Sequence, residues 1–198
     1  MTNSDQGTRL QQQMAFLLEI DKLKQVMRRT KLLSGERFEN SAEHSWHITL
    51  AALVLAEHSN EPVDVVRVVK MLLVHDVVEI DAGDTPAYGE QGDKAELEAV
   101  AAERIFGLLP EEQRDEFVEL WREFEARETA ESLFANSLDR LFPPIQNLHN
   151  DGGSWMDFDV DRAKADRRLS PIGDGSRALW EVVRGVLDEG EEKGYIRK

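Results

Sequence analysis

Along most of this chain apolar residues recur every three or four positions, the spacing that gathers them on one face of an α-helix. Residues 9–29 carry Leu10, Met14, Leu17 and Leu18 in that register, continued by Leu23, Val26 and Met27. They predict a first helix, followed by a turn around Ser34 and Gly35. Asn40 with Glu43 three residues on has the form of a capping box and predicts a second helix over 42–58. Pro62, tolerated in a first helical turn, starts a third over 62–80. That helix ends at Asp81-Ala82-Gly83-Asp84, ahead of a loop with Thr85, Pro86 and Gly89. Helices over 93–109 and 111–127 flank Pro110, the second so charged that it is expected to be largely exposed. Another covers 128–141 and is interrupted by Pro143-Pro144, with a helical turn resuming at Gln146. Residues 151–175, rich in glycine, proline and charge, predict a long loop holding at most a short helix. The last helix covers 176–188, and the tail beyond Gly190 is expected to be mobile. No internal repeat or linker divides the chain. The expected fold is therefore a single all-α domain, with its core over 9–150, a C-terminal loop and helix over 151–188 and a mobile tail over 189–198.

The third helix contains the most informative anomaly. Its apolar run, VDVVRVVKMLLVHDVVEIDAGD, is too long for one strand. Counted from Asp64 at about 100° per residue, Arg67 and Lys70 fall on one stripe, near roughly 300° and 240°. Val65, Val68 and Leu72 fall on the opposite side, and His75, Asp76 and Glu79 fall there with them. A lone histidine on an apolar face is usually a satisfied core residue, and a helix-terminal carboxylate usually a solvated end. Three ionisable groups together on the buried side need a common partner, because burying an unpaired charge costs several kcal/mol or more. A divalent cation is such a partner.

Composition narrows the chemistry. The 198 residues include no cysteine, so thiolate zinc sites, disulfides and cysteine nucleophiles are excluded, and a reducing, cytoplasmic location is expected. No stretch of about eighteen apolar residues offers a membrane span, and the polar start MTNSDQGTRLQQQ does not resemble a signal peptide. The net charge of -15 argues against binding a nucleic acid polymer, whose affinity rests on neutralising phosphates. It also makes a polyphosphate substrate unexpected, since little positive charge is available to gather in one pocket. A small anionic substrate needs a local concentration of cations. Lys22, Lys24, Arg28, Arg29, Lys31 and Arg37 supply one, the arginines being better suited to grip a phosphate through two parallel hydrogen bonds.

A metal site needs further ligands from elsewhere. His44 and His47 lie three apart near the start of the second helix, although His47 beside Trp46 reads more simply as a packing residue. Asp139, flanked by Leu138 and Leu141, is again an ionisable group beside an apolar face. Two imidazoles and two carboxylates suit one six-coordinate divalent transition metal: Mn, Co, Fe or Ni more readily than a closed structural zinc, with Mg or Zn also admissible.

Glu43-His44-Ser45, His75-Asp76, the Glu79 that follows, Gly83 to Pro86 (GDTP) and the distant Asp139 in NSLDRL together resemble the HD-domain metal-dependent phosphohydrolases. The likeness is to the branch containing bacterial 5′-deoxynucleotidases, and it covers roughly residues 18–150. The resemblance implies an HD-type helical bundle, commonly a homodimer, acting on a small nucleotide substrate. It implies metal ligands at His44, His75, Asp76 and Asp139, a catalytic carboxylate at Glu79, and substrate contacts at Arg29, Asp84 and Thr85. In that branch the arginine is followed by a tryptophan that orients the phosphate. Here the next residue is Thr30, which implies loose nucleoside selectivity. A glycine turn separates Arg29 from His44, so the register leaves Arg28 as the other candidate for the phosphate.

The expected reaction is hydrolysis of a nucleoside 5′-monophosphate by metal-activated water. Glu79 would orient or deprotonate the water, Arg29 hold the non-bridging oxygens, and Glu79 or Asp84 protonate the leaving oxygen. The alternatives are an HD-type phosphodiesterase or nucleoside triphosphate hydrolase, and a non-catalytic metal- or nucleotide-binding protein.

Overall fold

Helix α1 (Asn3–Glu19) opens the computed structural model, which describes residues 3–85, 88 and 92–198. Pro86 and Gly89 of the expected loop lie outside the described residues. The helix predicted over 9–29 is shorter than its periodicity suggested. After Glu19 the chain tightens into a 3₁₀ segment (Ile20–Gln25), leaves helical geometry at Val26 and enters strand β1 (Met27–Lys31). That strand pairs antiparallel with β2 (Phe38–Asn40), Met27 opposite Asn40 and Lys31 opposite Phe38. Pairing switches the side-chain period from 3.6 to 2. Arg28 and Thr30 consequently turn inward while Met27, Arg29 and Lys31 turn out.

The capping box predicted at Asn40 is present. Its side chain accepts from the Glu43 amide while the Glu43 carboxylate accepts from the Asn40 amide, starting α2 (Ser41–Leu55) directly after the hairpin. Helix α3 (Val65–Val74) begins later than expected. Pro62 stands outside it, and Asp64 caps it by accepting from the amides of Val66 and Arg67. At His75 it tightens into a 3₁₀ turn (His75–Val78) before α4 (Glu79–Ala82), so the buried face does not follow a uniform 100° step. Gly83 ends α4 with φ +75° and ψ 156°, a conformation open essentially to glycine, and it sends the chain into Asp84.

Helices α5 (Lys94–Phe106) and α6 (Glu111–Ala126) flank Pro110 as predicted. Helix α7 (Ala130–His149) corrects the expectation of a break at Pro143-Pro144, because both prolines lie inside it. They remove the amides that would bond the carbonyls of Asp139 and Arg140, and packing carries the helix through. Helix α7 is the axis of the molecule, touching α2, α3, α6 and β1. Around it Ile48, Met71, Leu72, Ile105, Phe106, Phe134 and Leu138 are fully buried.

Residues 151–175 contain three short helices in place of the predicted loop: α8 (Ser154–Asp157), α9 (Arg162–Leu169) and α10 (Ile172–Gly175). Trp155, Leu169 and Ile172 anchor them in the core. The last helix, α11 (Arg177–Glu192), extends beyond its predicted end. The tail expected to be mobile is packed in the structure, with Ile196 buried and the Arg197 amide donating to the carbonyl of Val160. The fold is all-α, as expected, with the one small hairpin added. Among the described residues no helix is long and apolar enough to cross a membrane.

Candidate metal centre and cavity

Three elements bring the predicted ligands together. His44 comes from the first turns of α2 and is fully buried; His75 and Asp76 come from the 3₁₀ turn after α3; Asp139 comes from the middle of α7. One ligand atom from each of His44, His75 and Asp76 lies within 4.8 Å of the others. Asp139 Oδ1 stands 3.0 Å from His44 Nε2 and 3.8 Å from His75 Nε2.

The orientation of His75 tests whether these residues suit a cation. Its Nδ1 donates to the carbonyl of Leu72 at 2.9 Å, which leaves Nε2 as the inward atom. Nε2 is buried without a hydrogen-bond partner among the described residues. It stands 3.0 Å from Asp76 Oδ1 without the alignment of a hydrogen bond. An imidazole nitrogen fixed by a bond at its far side and aimed past a carboxylate oxygen is how histidine presents itself to a metal ion. Burial opposes the charge of His75, but Asp76 and Asp139 outweigh it and hold its pKa well above the ordinary value. The Asp76 carboxyl, with His75 and Arg28 beside it, is held down at about 2 despite its own burial. The donor set fits a divalent cation. His47 is not part of it, its ring packing 4.1 Å from that of Phe142.

Two residues absent from the sequence reading complete the support. Glu39 in β2 is buried, with Oε2 3.4 Å from His44 Nδ1 and 3.6 Å from Arg28 Nε. Ser41, the first residue of α2, donates through Oγ to Glu79 Oε2 at 2.6 Å. Neither carries a sequence signal: Glu39 is turned inward by β1–β2 pairing, and Ser41 opens α2 directly after that hairpin.

Glu79 is 5% exposed, and burial together with Asp76 and Asp84 pushes its pKa up to about 8. Burial also raises Asp84, although Arg28 and Lys94 oppose the rise, and its carboxylate accepts from the backbone amide of Arg29. Both carboxyls line a cavity of about 820 Å³, counting its open mouth. Thr30, Thr85 and Asp139 line it too.

The predicted basic cluster separates in the structure. Lys22, Lys24 and Arg37 pair with Glu19, Asp21 and Glu43 on the surface. Lys31 lies over the Phe38 ring. Arg28 and Arg29 remain at the cavity, but on opposite faces of β1. Arg28 reaches inward, its Nη1 donating to Asp76 Oδ2 at 3.0 Å, and the surrounding carboxylates raise its pKa against the effect of burial. Arg29 is exposed at the rim. The guanidinium against the centre is therefore that of Arg28, the other candidate of the sequence reading.

Residues 20–180 match the HD domain family. Human 5′-deoxynucleotidase HDDC2 is 33% identical over 151 residues, covering 72% of this chain and 72% of its own. A 5′-deoxynucleotidase of Enterobacter sp. (strain 638) is 26% identical over 164 residues, 78% of this chain and 81% of that protein. The crystal structure of a predicted metal-dependent phosphohydrolase from Magnetospirillum magnetotacticum MS-1 superposes with a TM-score of 0.92 at 49% identity, covering 96% of this chain and 97% of that one.

Proposed function

Since the chain belongs to the HD domain family, we propose that it is a metal-dependent phosphohydrolase that removes phosphate from nucleoside 5′-monophosphates. The observation that carries this reading is the orphaned, inward-facing His75 Nε2 among His44, Asp76 and Asp139, beside a cavity that also presents an arginine and two carboxyls of raised pKa. When bound to those four ligands, a divalent ion supplies the positive charge that offsets the phosphoryl group's. The two imidazoles and two carboxylates favour Mn, Co, Fe or Ni.

The chain's own residues divide the remaining work. Glu79 is buried beside these ligands and is placed to take a proton from the attacking water when the charge of a bound divalent ion holds it ionised. Ser41 fixes its direction. Arg28 holds the non-bridging oxygens from the inner face of β1, with Arg29 assisting from the rim. Asp84, tethered by the Arg29 amide, meets the leaving oxygen or the sugar together with Thr85. Thr30 also faces the cavity and offers no aromatic surface to fix the nucleotide, so selectivity among nucleosides is loose.

The test is phosphate release from a panel of 5′-, 3′- and 2′-monophosphates, triphosphates and cyclic nucleotides with Mn or Co. Turnover of 5′-monophosphates, with modest differences between bases and between ribo and deoxy sugars, is expected. Efficient turnover confined to triphosphates or cyclic nucleotides overturns the assignment.

A further inference from the structure

The cavity holds more positive charge than the hydrolysis of one terminal phosphate uses. Arg140 and Arg168 both line it, and both also line a second cavity that reaches His75, Asp76 and Asp139 from another side. Among the described residues neither forms an ion pair. Arg140 differs from the other arginines without an ion pair in being buried.

Arg140 is 4% exposed and rigidly held. Its Nη1 donates to the carbonyl of Asn136 at 2.9 Å and to Asn136 Oδ1 at 2.8 Å. Asn136 is itself fixed by donating to the carbonyls of Phe124 and Ser132. Arg140 Nε is buried with no hydrogen-bond partner among the described residues, and a donor on a charged group left so is costly. Arg168, on α9, lines the same cavity from another helix. Two like charges facing one cavity, one of them buried and immobilised, are unfavourable until an anion lies between them. Two guanidiniums match a dianionic phosphoryl group better than a singly charged carboxylate.

We propose that Arg140 and Arg168 form a second phosphate position in this cavity, and that the substrate is a nucleotide carrying a second phosphoryl group besides the one removed. The inference rests on the phosphohydrolase reading and narrows its substrate class.

The test compares deoxyadenosine 5′-monophosphate with deoxyadenosine 3′,5′-bisphosphate on the Mn-loaded protein and its Arg168→Gln and Arg168→Lys variants. Both kcat/KM for phosphate release and Kd by calorimetry are measured. In the unaltered protein kcat/KM for the bisphosphate is expected to exceed that for the monophosphate by tenfold or more. Arg168→Gln should cut this ratio by roughly 10-fold, the scale of a charge-assisted hydrogen bond, and Arg168→Lys by less. A ratio near one in the unaltered protein, or an equal loss for both substrates in Arg168→Gln, overturns the second phosphate position. If neither compound is hydrolysed, the nucleotidase reading fails on its own. The Kd ratio then still decides the second position, by the same criterion.

Discussion

The groove between α3 and α6 and the centre between α2, α3 and α7 are both dense in charge, and they treat it in opposite ways. In the groove both cations of α3 meet carboxylates of α6. Arg67 donates to Glu119 at 2.9 Å and also to Glu123, and Lys70 donates to Glu116 at 2.6 Å. Most of these side chains are well exposed, with Lys70 and Glu116 about half so. At the centre, charges are buried and left over: His75 Nε2, His44 Nδ1 and Glu39 Oε2 lack hydrogen-bond partners among the described residues. Exposed pairs contribute about 0–1 kcal/mol and can be lost cheaply. An unsatisfied buried set is destabilising until its ligand arrives. The groove serves the fold, whereas the centre is built for a guest.

That contrast can be broken most severely at Glu79. Glu79→Gln keeps the shape and loses the exchangeable proton, so kcat should fall by roughly 10²- to 10⁴-fold while metal content stays as it was. A parallel loss of metal would make Glu79 a ligand. Asp139→Asn probes the member of the centre most distant in sequence. It should weaken metal affinity by roughly 10- to 100-fold, read by competition with a chromophoric chelator, while the circular dichroism spectrum is retained. An unchanged affinity removes Asp139 from the site.

A smaller effect separates the two arginines of β1. Arg28→Lys keeps the charge and loses the two-pronged geometry, so KM for the phosphomonoester should rise several-fold, on the order of 5-fold, with Arg29→Lys changing it less. The reverse order would return the phosphate to Arg29. Smallest of all is the groove. Lys70→Ala should cost less than about 1 kcal/mol in denaturant unfolding and leave turnover unaltered. A larger loss would show that the surface pairs do more than the comparison allows.

The helical class, the capping box at Asn40 and Glu43, and the grouping of His75, Asp76 and Glu79 on a buried face were determined by the sequence itself. Each depends on neighbours within about four residues, which a periodic pattern records directly. His44 and Asp139 were legible through motif order, and the structure brings them to 3.0 Å of each other.

The tertiary structure decided what lies beyond that range. Residues 9–29 have helical periodicity, yet 27–31 become a strand because pairing with 38–40 competes with the helix. That switch of period placed Arg28 inside and Arg29 at the rim. Pro143 and Pro144 should end a helix, and packing on every side of α7 kept it intact. Glu39 meets His44 through a hairpin, and Arg140 and Arg168 line one cavity from different helices. Such contacts depend on which faces are left to bury together once the helices have formed, and no local pattern encodes that.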